Sequence, residues 1–388
     1  MSKRKTKRET STKEILREHS KAKVELYIQY LSNYLSILGN VRHITRVHLF
    51  DVLCGEGKYA DNAEGSALKA LRTILAYQTS VQNSTLKVSV MLNDSGQSII
   101  EPGLKKIERV KQYASTIPLP AKTVVSYSSL EYDEVLQEVE ATVSKLQSDE
   151  KALIFIDPWG YKSINPKKLR QLLAGGHTEI LLFLPTAHMY RFANTAAGYL
   201  PNEEILECMK PLKGLLEELF DNDVPHFTSP EKFTKALNDR LKTALAATYT
   251  SSFFLETTDH NKYALFFFGS NLKGLQAFVD ARWKIDTTAG RGHAATKQVS
   301  LPLYPVEDEH TADVLEFISS SPAVTNHEVF VFGLECGMKT TMTKQSLNTL
   351  REQGRISVEA TDQKGNPPKG ANFLGYKHDR TVEFKRTN

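Results

Sequence analysis

Two apolar runs in this chain end in residues whose types and spacing could do chemistry. Ile154-Phe155-Ile156 stops at Asp157-Pro158-Trp159-Gly160, and His48-Leu49-Phe50 stops at Asp51, with Gly55-Glu56-Gly57 just beyond. A strand-length apolar run that ends this way marks a buried parallel strand delivering polar groups to the carboxyl edge of a sheet, where open α/β sheets bind ligands. Asp157 and the backbone fixed by Pro158 can hold the hydrogens of an exocyclic amine, leaving its lone pair free to attack a methyl group. Trp159 offers a face on which a base can stack. The alternative is a structural turn with Trp159 in the core; the strand-end position favours function.

The first edge has the features of a nucleotide-like cofactor site. Gly55 and Gly57 allow a tight turn and close backbone approach beside Asp51, and the next helix aims amide donors at the same point. A side chain at Gly57 is therefore expected to fill space that a ligand needs. Lys58-Tyr59 lacks the Gly-Lys-Ser/Thr ending of a phosphate-binding loop, which argues against a nucleoside triphosphate. Asp94 ends the second run, where it either accepts both ribose hydroxyls or caps the following helix. Ser128, within Ser126-Tyr127-Ser128-Ser129, sits where an adenine contact would fall. Tyr59, Ser66, His188 and Arg191 rim the edge, with Arg191 able to reach phosphate or a partner carboxylate and His188 reading as a surface histidine. Arg291 and His293 lie in a Gly-rich loop that either closes over substrate or is merely solvated.

Behind these residues stands an ordinary composition. The 388 residues are 40% hydrophobic and 24% charged, enough for two domains. No apolar run reaches the ~18–20 residues of a membrane span. Cys54, Cys208 and Cys336 are scattered without metal or disulfide spacing, which fits a reducing cytoplasm. The net charge of +4 is concentrated at the two ends. Lys3, Arg4, Lys5, Lys7 and Arg8 crowd a tail, residues 1–12, expected to be disordered. Lys364 and Lys369 sit in a basic C-terminal loop that can neutralise phosphates.

The elements that must position the site follow from periodicity. A helix is predicted over Thr12–Ile37, then strands over Val47–Leu53, Lys87–Asn93, Thr123–Ser126, Lys151–Ile156 and Glu179–Leu184. Helices over Ser66–Thr79, Gln97–Tyr113, Tyr132–Leu146 and Pro166–Leu173 alternate with them. This alternation implies a doubly wound parallel sheet. A helical insertion follows at about 190–250. Strands Ser251–Glu256 and Tyr263–Gly269 form a hairpin through Asp259-His260-Asn261, and Leu272–Lys284 is helical. Residues 286–300 read as loop. The α/β domain thus spans 13–300. From 305 to 388 the order of three helices, a strand, a basic loop and a strand is that of a winged helix, with Thr343–Gln353 as its recognition helix.

These motifs resemble the three-Cys-motif partner protein family, TcmP, over almost the whole chain. The likeness runs through His19 and Lys23, Tyr30-Leu31, Phe50 to Tyr59, Gly65-Ser66-Ala67-Leu68, Phe155 to Gly160, Tyr263 to Phe267 and the Trp283 helix. Its most specific element is Phe155-Ile156-Asp157-Pro158-Trp159-Gly160. The resemblance implies a Rossmann-like class I methyltransferase sheet with a terminal antiparallel hairpin and a winged-helix appendage. It further implies S-adenosylmethionine held by Asp51, Gly55, Gly57, Asp94 and Ser128. It implies a three-cysteine partner similar to radical S-adenosylmethionine enzymes, and leaves DNA or RNA open as the substrate. Cys54 stands where alanine is usual and Trp159 where phenylalanine is usual, and the third strand lacks an expected acid. The rival readings are a non-catalytic binding partner of the same fold, and a nuclease or defence factor in which Asp51, Asp94 and Asp157 share an ion.

Overall fold

A computed structural model describes residues 18–81, 84–158, 164–196, 209–256, 262–286, 292–294, 306–362 and 380–387. Its main sheet runs, in spatial order, β3 (Thr123–Ser128), β2 (Lys87–Asn93), β1 (Arg46–Asp51), β4 (Glu150–Ile156), β5 (Thr178–Leu184), β7 (Lys262–Gly269), β6 (Tyr249–Glu256) and β8 (Gly292–Ala294). Strands β1 to β5 are parallel, and β7 runs antiparallel to both β5 and β6. Every residue of β5 is buried, because helices cover both faces of the sheet, and from Ile180 to Leu184 the strand is apolar. The edge strand β3 instead alternates, and Val124 is exposed.

One face carries α1 (Glu18–Gly39), α2 (Ser66–Ser80), α3 (Lys106–Ala114) and α9 (Leu272–Ile285). Helix α1 lies over β4, with the Tyr27 ring stacked on Phe155 at 4.3 Å. The other face carries α4 (Tyr132–Val143), α5 (Pro166–Leu173), α6 (Thr186–Ala196), α7 (Lys210–Leu219) and α8 (Pro230–Ala244). Helices α6 to α8 bury Met189, Leu212, Leu215, Phe233 and Leu237 in the same core as β4 and β5. The described helices of the stretch expected as an insertion thus pack on this face of the sheet.

Two expectations need correction. Residues 286–300 are not all loop, since Gly292–Ala294 pair with β6 as a parallel eighth strand. Helix α3 starts at Lys106 rather than Gln97, with Lys105 at its N-cap position, so neither Asp94 nor Ser95 caps it. The cause is Glu56, whose carboxylate takes the Ser98 hydroxyl at 2.8 Å and the Ile99 amide at 2.7 Å and holds this segment out of the helix. Pro102 therefore lies in the loop before α3. The basic tail, the Asp259-His260-Asn261 turn and the loop carrying Lys364 and Lys369 lie outside the described residues.

The C-terminal unit comprises α10 (Val306–Ser319), β9 (Val324–Thr325), α11 (Asn326–Glu335), α12 (Thr340–Glu352), β10 (Ile356–Asp362) and β11 (Arg380–Arg386). Its three-stranded sheet has the order β10-β11-β9 and backs a separate core around Ile318, Phe330, Leu347 and Phe384. The unit is seated firmly on the main sheet. The Trp283 indole donates to the Gly337 carbonyl at 2.8 Å, and Glu335 accepts from Lys242 at 2.6 Å and from the Thr250 amide at 3.2 Å.

Candidate active site at the carboxyl edge of the sheet

Parallel strands deliver their last residues to one edge, so Asp51, Asp94 and Asp157 meet at the ends of β1, β2 and β4. Their environments differ. Asp51 is 2% exposed. Its Oδ2 accepts the Ser66 hydroxyl at 2.6 Å, while its buried Oδ1 has no hydrogen-bond partner. Burial pushes its carboxyl up to about 7, against the Ser66 bond and the Lys23 charge, which lower it. Oδ1 is thus a buried oxygen with its hydrogen-bonding capacity unused.

Asp94 is largely committed to the backbone. It accepts the Gly55 amide at 3.0 Å and the Gly96 amide at 2.8 Å, and Lys106 lies 3.5 Å away. It fixes the glycine turn instead of capping a helix, and each oxygen keeps a second lone pair for a ligand hydroxyl. Ser128 donates to Asn93 Oδ1 at 2.8 Å. The buried Asn93 also bonds the Val52 and Leu130 carbonyls, so this serine first serves to tie three strand ends together.

Asp157 is met by a residue remote in sequence. The Lys23 ammonium of α1 donates to Asp157 Oδ2 and sits 4.5 Å from the centre of the Phe183 ring. The carboxylate remains 26% exposed. Pro158 is buried next to it, and Trp159 lies outside the described residues. Tyr59 stands among the acids. Burial raises its phenol most, and the charges of Asp157, Glu56, Asp51 and Asp94 raise it further, which keeps it protonated as a donor.

Gly55 and Gly57 both adopt φ of +72°, the left-handed region that favours glycine. A Cβ on Gly57 would meet Val110 Cγ2 at 2.9 Å, whereas one on Gly55 finds only the Tyr59 hydroxyl, at 3.6 Å. A side chain at Gly57, expected to fill ligand space, would thus first meet Val110 of α3. Burial, then the charges of Asp51 and Asp94, hold the Cys54 thiol well up, so it is unreactive here.

Arg191 and His188 are exposed on α6, past the end of β5. Arg291 and the side chain of His293 lie outside the described residues, as do Lys364 and Lys369. Among the described residues no three of His, Cys, Asp or Glu are grouped to hold a metal ion.

The clamp behind the turn carried no assigned role in the sequence. Buried Arg109 donates from Nη1 to Glu56 Oε2 at 2.7 Å and to the Glu56 and Lys58 carbonyls at 3.2 Å, and from Nε to Glu101 at 2.9 Å. Lys23 had a readable signal. It occupies the buried stripe of α1 with Tyr27, Tyr30, Leu31 and Tyr34, where a lysine needs a partner. Tyr132 Oη and Thr186 Oγ1, just past β3 and β5, are also buried without hydrogen-bond partners, so such atoms collect at this edge.

The strand order β3-β2-β1-β4-β5-β7-β6 with antiparallel β7 defines a Rossmann-like, methyltransferase-type α/β fold. No family model matches the chain, and no curated protein matches it. Among solved structures, a loganic acid methyltransferase with SAH is similar over 66% of this chain and 95% of its own, at 10% identity and a TM-score of 0.29. PKMT2 from Rickettsia typhi is similar over 57% of this chain and 37% of its own, at 16% identity and a TM-score of 0.22. A T5 5'-exonuclease is similar over 52% of this chain and 97% of its own, at 12% identity and a TM-score of 0.18. Likenesses at these scores bear no weight on function. No helix among the described residues is long and apolar enough to cross a membrane.

Proposed function

We infer that the carboxyl edge binds S-adenosylmethionine and directs methyl transfer to an exocyclic amine of a nucleic acid. The observation that carries this reading is Asp51 Oδ1, a buried and unpartnered carboxylate oxygen beside a left-handed Gly-x-Gly turn. Such an atom fits a ligand with a positive charge and an N–H donor. The bound cofactor supplies an electrophilic methyl group. Asp51 and the Gly55 turn hold it, and Asp94 has lone pairs left for its hydroxyls. Asp157 accepts an amine hydrogen on Oδ1 while Lys23 fixes Oδ2.

Cofactor affinity should follow the Asp51 proton. Its carboxyl titrates near 7, so below that pH the neutral form dominates and a cation gains little from it. Affinity should rise with pH, by up to about tenfold per unit below 7, and level off above. Calorimetry between pH 5.5 and 7.5 on the native chain and on Asp51→Asn should show the slope in the first and not the second. Equal slopes would remove Asp51 from the site.

Asp157→Ala should lower turnover by about 100-fold or more with little change in cofactor binding, since it removes an acceptor needed as charge develops on the amine. Lys23→Met should cost less, because the acceptor stays but loses its brace. The assay is transfer of label from S-adenosylmethionine to total RNA and DNA, with and without a three-cysteine partner of the kind found beside TcmP proteins. A second reading, a non-catalytic binding partner, is favoured by the Lys23–Asp157 pair, which already neutralises the acid. Cofactor binding with no label transferred under any of these conditions would establish it. The C-terminal unit, with its three helices and small sheet, supports a winged-helix reading in which α12 and the Lys364/Lys369 segment meet nucleic acid.

A further inference from the structure

A cavity of about 810 Å³ opens at the opposite, amino-terminal edge of the same sheet. Lys151 at the head of β4 lines it and Asp157 just follows that strand, so the two sites lie roughly 20 Å apart at strand spacing. We propose that this cavity binds a small amphipathic anion, an aromatic or aliphatic body bearing a carboxylate or a phosphate.

The size is that of a small-molecule site. Leu38 and Ile44 near α1, Leu272 of α9 and Phe330 of α11 provide apolar wall. The polar part is rich in donors. Lys151 Nζ lies 2.8 Å from His177 Nδ1. The ammonium can only donate, so Nδ1 accepts and the ring proton sits on Nε2; the pair has donors alone left to offer. Burial, then the Lys151 charge, lowers His177, in keeping with a neutral ring.

The first turn of the 14-residue α9 also lines the cavity. Asn271 caps it by accepting the Lys273 amide at 2.9 Å. The Leu272 amide has no hydrogen-bond partner among the described residues, and the helix dipole favours an anion beside it, while at Gly274 the Glu179 carboxylate already packs against the turn. Exposed Lys273 adds a second ammonium. The single acid in the lining, Glu179, is buried and takes the Tyr30 hydroxyl, and burial pushes its carboxyl up to about 7. Lys151, Lys273 and the Leu272 amide thus converge on a partly apolar chamber whose one acid accepts from Tyr30 and lies in the field of Lys151. Phe330 and His327 belong to the C-terminal unit, so a ligand here would join the two units.

The test uses the full chain and the fluorescent probe 1-anilinonaphthalene-8-sulfonate, an aromatic body with one anionic group. Saturable binding is expected, weakened at least tenfold by Lys151→Met and by Lys273→Met, and unchanged by Asp51→Asn or by excess S-adenosylmethionine. Lys273 is exposed at a helix start, so its variant keeps the test valid should Lys151→Met fold poorly. Displacement of the probe by decanoate identifies a carboxylate ligand, and displacement by adenosine monophosphate a phosphate. Probe binding that survives both lysine variants, displacement by S-adenosylmethionine, or displacement by neither competitor overturns the proposal. None of these outcomes depends on methyl transfer at the other edge.

Discussion

Arg109→Met should destabilise the chain by about 3–5 kcal/mol, the range for breaking a buried ion pair from one side. Arg109 is 2% exposed and its partner Glu56 6%. The guanidinium ties the carboxylate of Glu56 and the carbonyls of Glu56 and Lys58 to α3. Methionine preserves most of the stem but leaves Glu56 buried without its cation. The carboxylate must then take a proton or draw in water, and the Ser98 and Ile99 bonds that shape the approach to α3 weaken with it. Urea unfolding gives the loss, and adding Glu56→Gln should recover part of it because the orphaned charge is gone. A loss below about 1 kcal/mol would mean that the clamp is dispensable.

Gly57→Ala should cost about 2–4 kcal/mol, combining left-handed strain with a clash. The new Cβ would lie 2.9 Å from Val110 Cγ2 and 3.3 Å from Val110 Cα. Trimming the neighbour with Val110→Ala relieves only the first contact, so rescue should be partial. Gly55→Ala has the same φ but open space around it, and should cost only about 1–2 kcal/mol from strain. Gly55 is consequently the better probe of ligand approach and Gly57 the better probe of packing. Thermal unfolding of the two variants side by side should rank them in this order; equal losses would show that strain alone decides both.

The central strands were legible because a strand covered on both faces is an unbroken apolar run, as in Ile180 to Leu184, whereas the edge strand β3 showed itself by alternation. Three residues of β8 within a Gly-rich stretch carry no such signal. The acids were legible for the same reason as the strands, since an apolar run displays the residue that ends it. The pairings they make were not. Lys23 meets Asp157 across 134 positions and Arg109 meets Glu56 across 53, and no local pattern couples residues so far apart. Asp94 shows the limit most clearly. Its position admitted a ribose or a helix cap, while the folded chain gives it two glycine amides to hold. The start of α3 was misplaced because a side chain from another loop outcompetes helix propensity there.

The bond from Trp283 to Gly337 also gives the molecule a built-in optical gauge. The chain has two tryptophans, Trp159 and Trp283. Replacing the first by Trp159→Phe leaves a single indole at the seam, its N–H on the Gly337 carbonyl and the Lys339 ammonium 5.4 Å from its ring. Its emission colour and quenching then register whether the C-terminal unit is seated or lifted, in native protein without a dye.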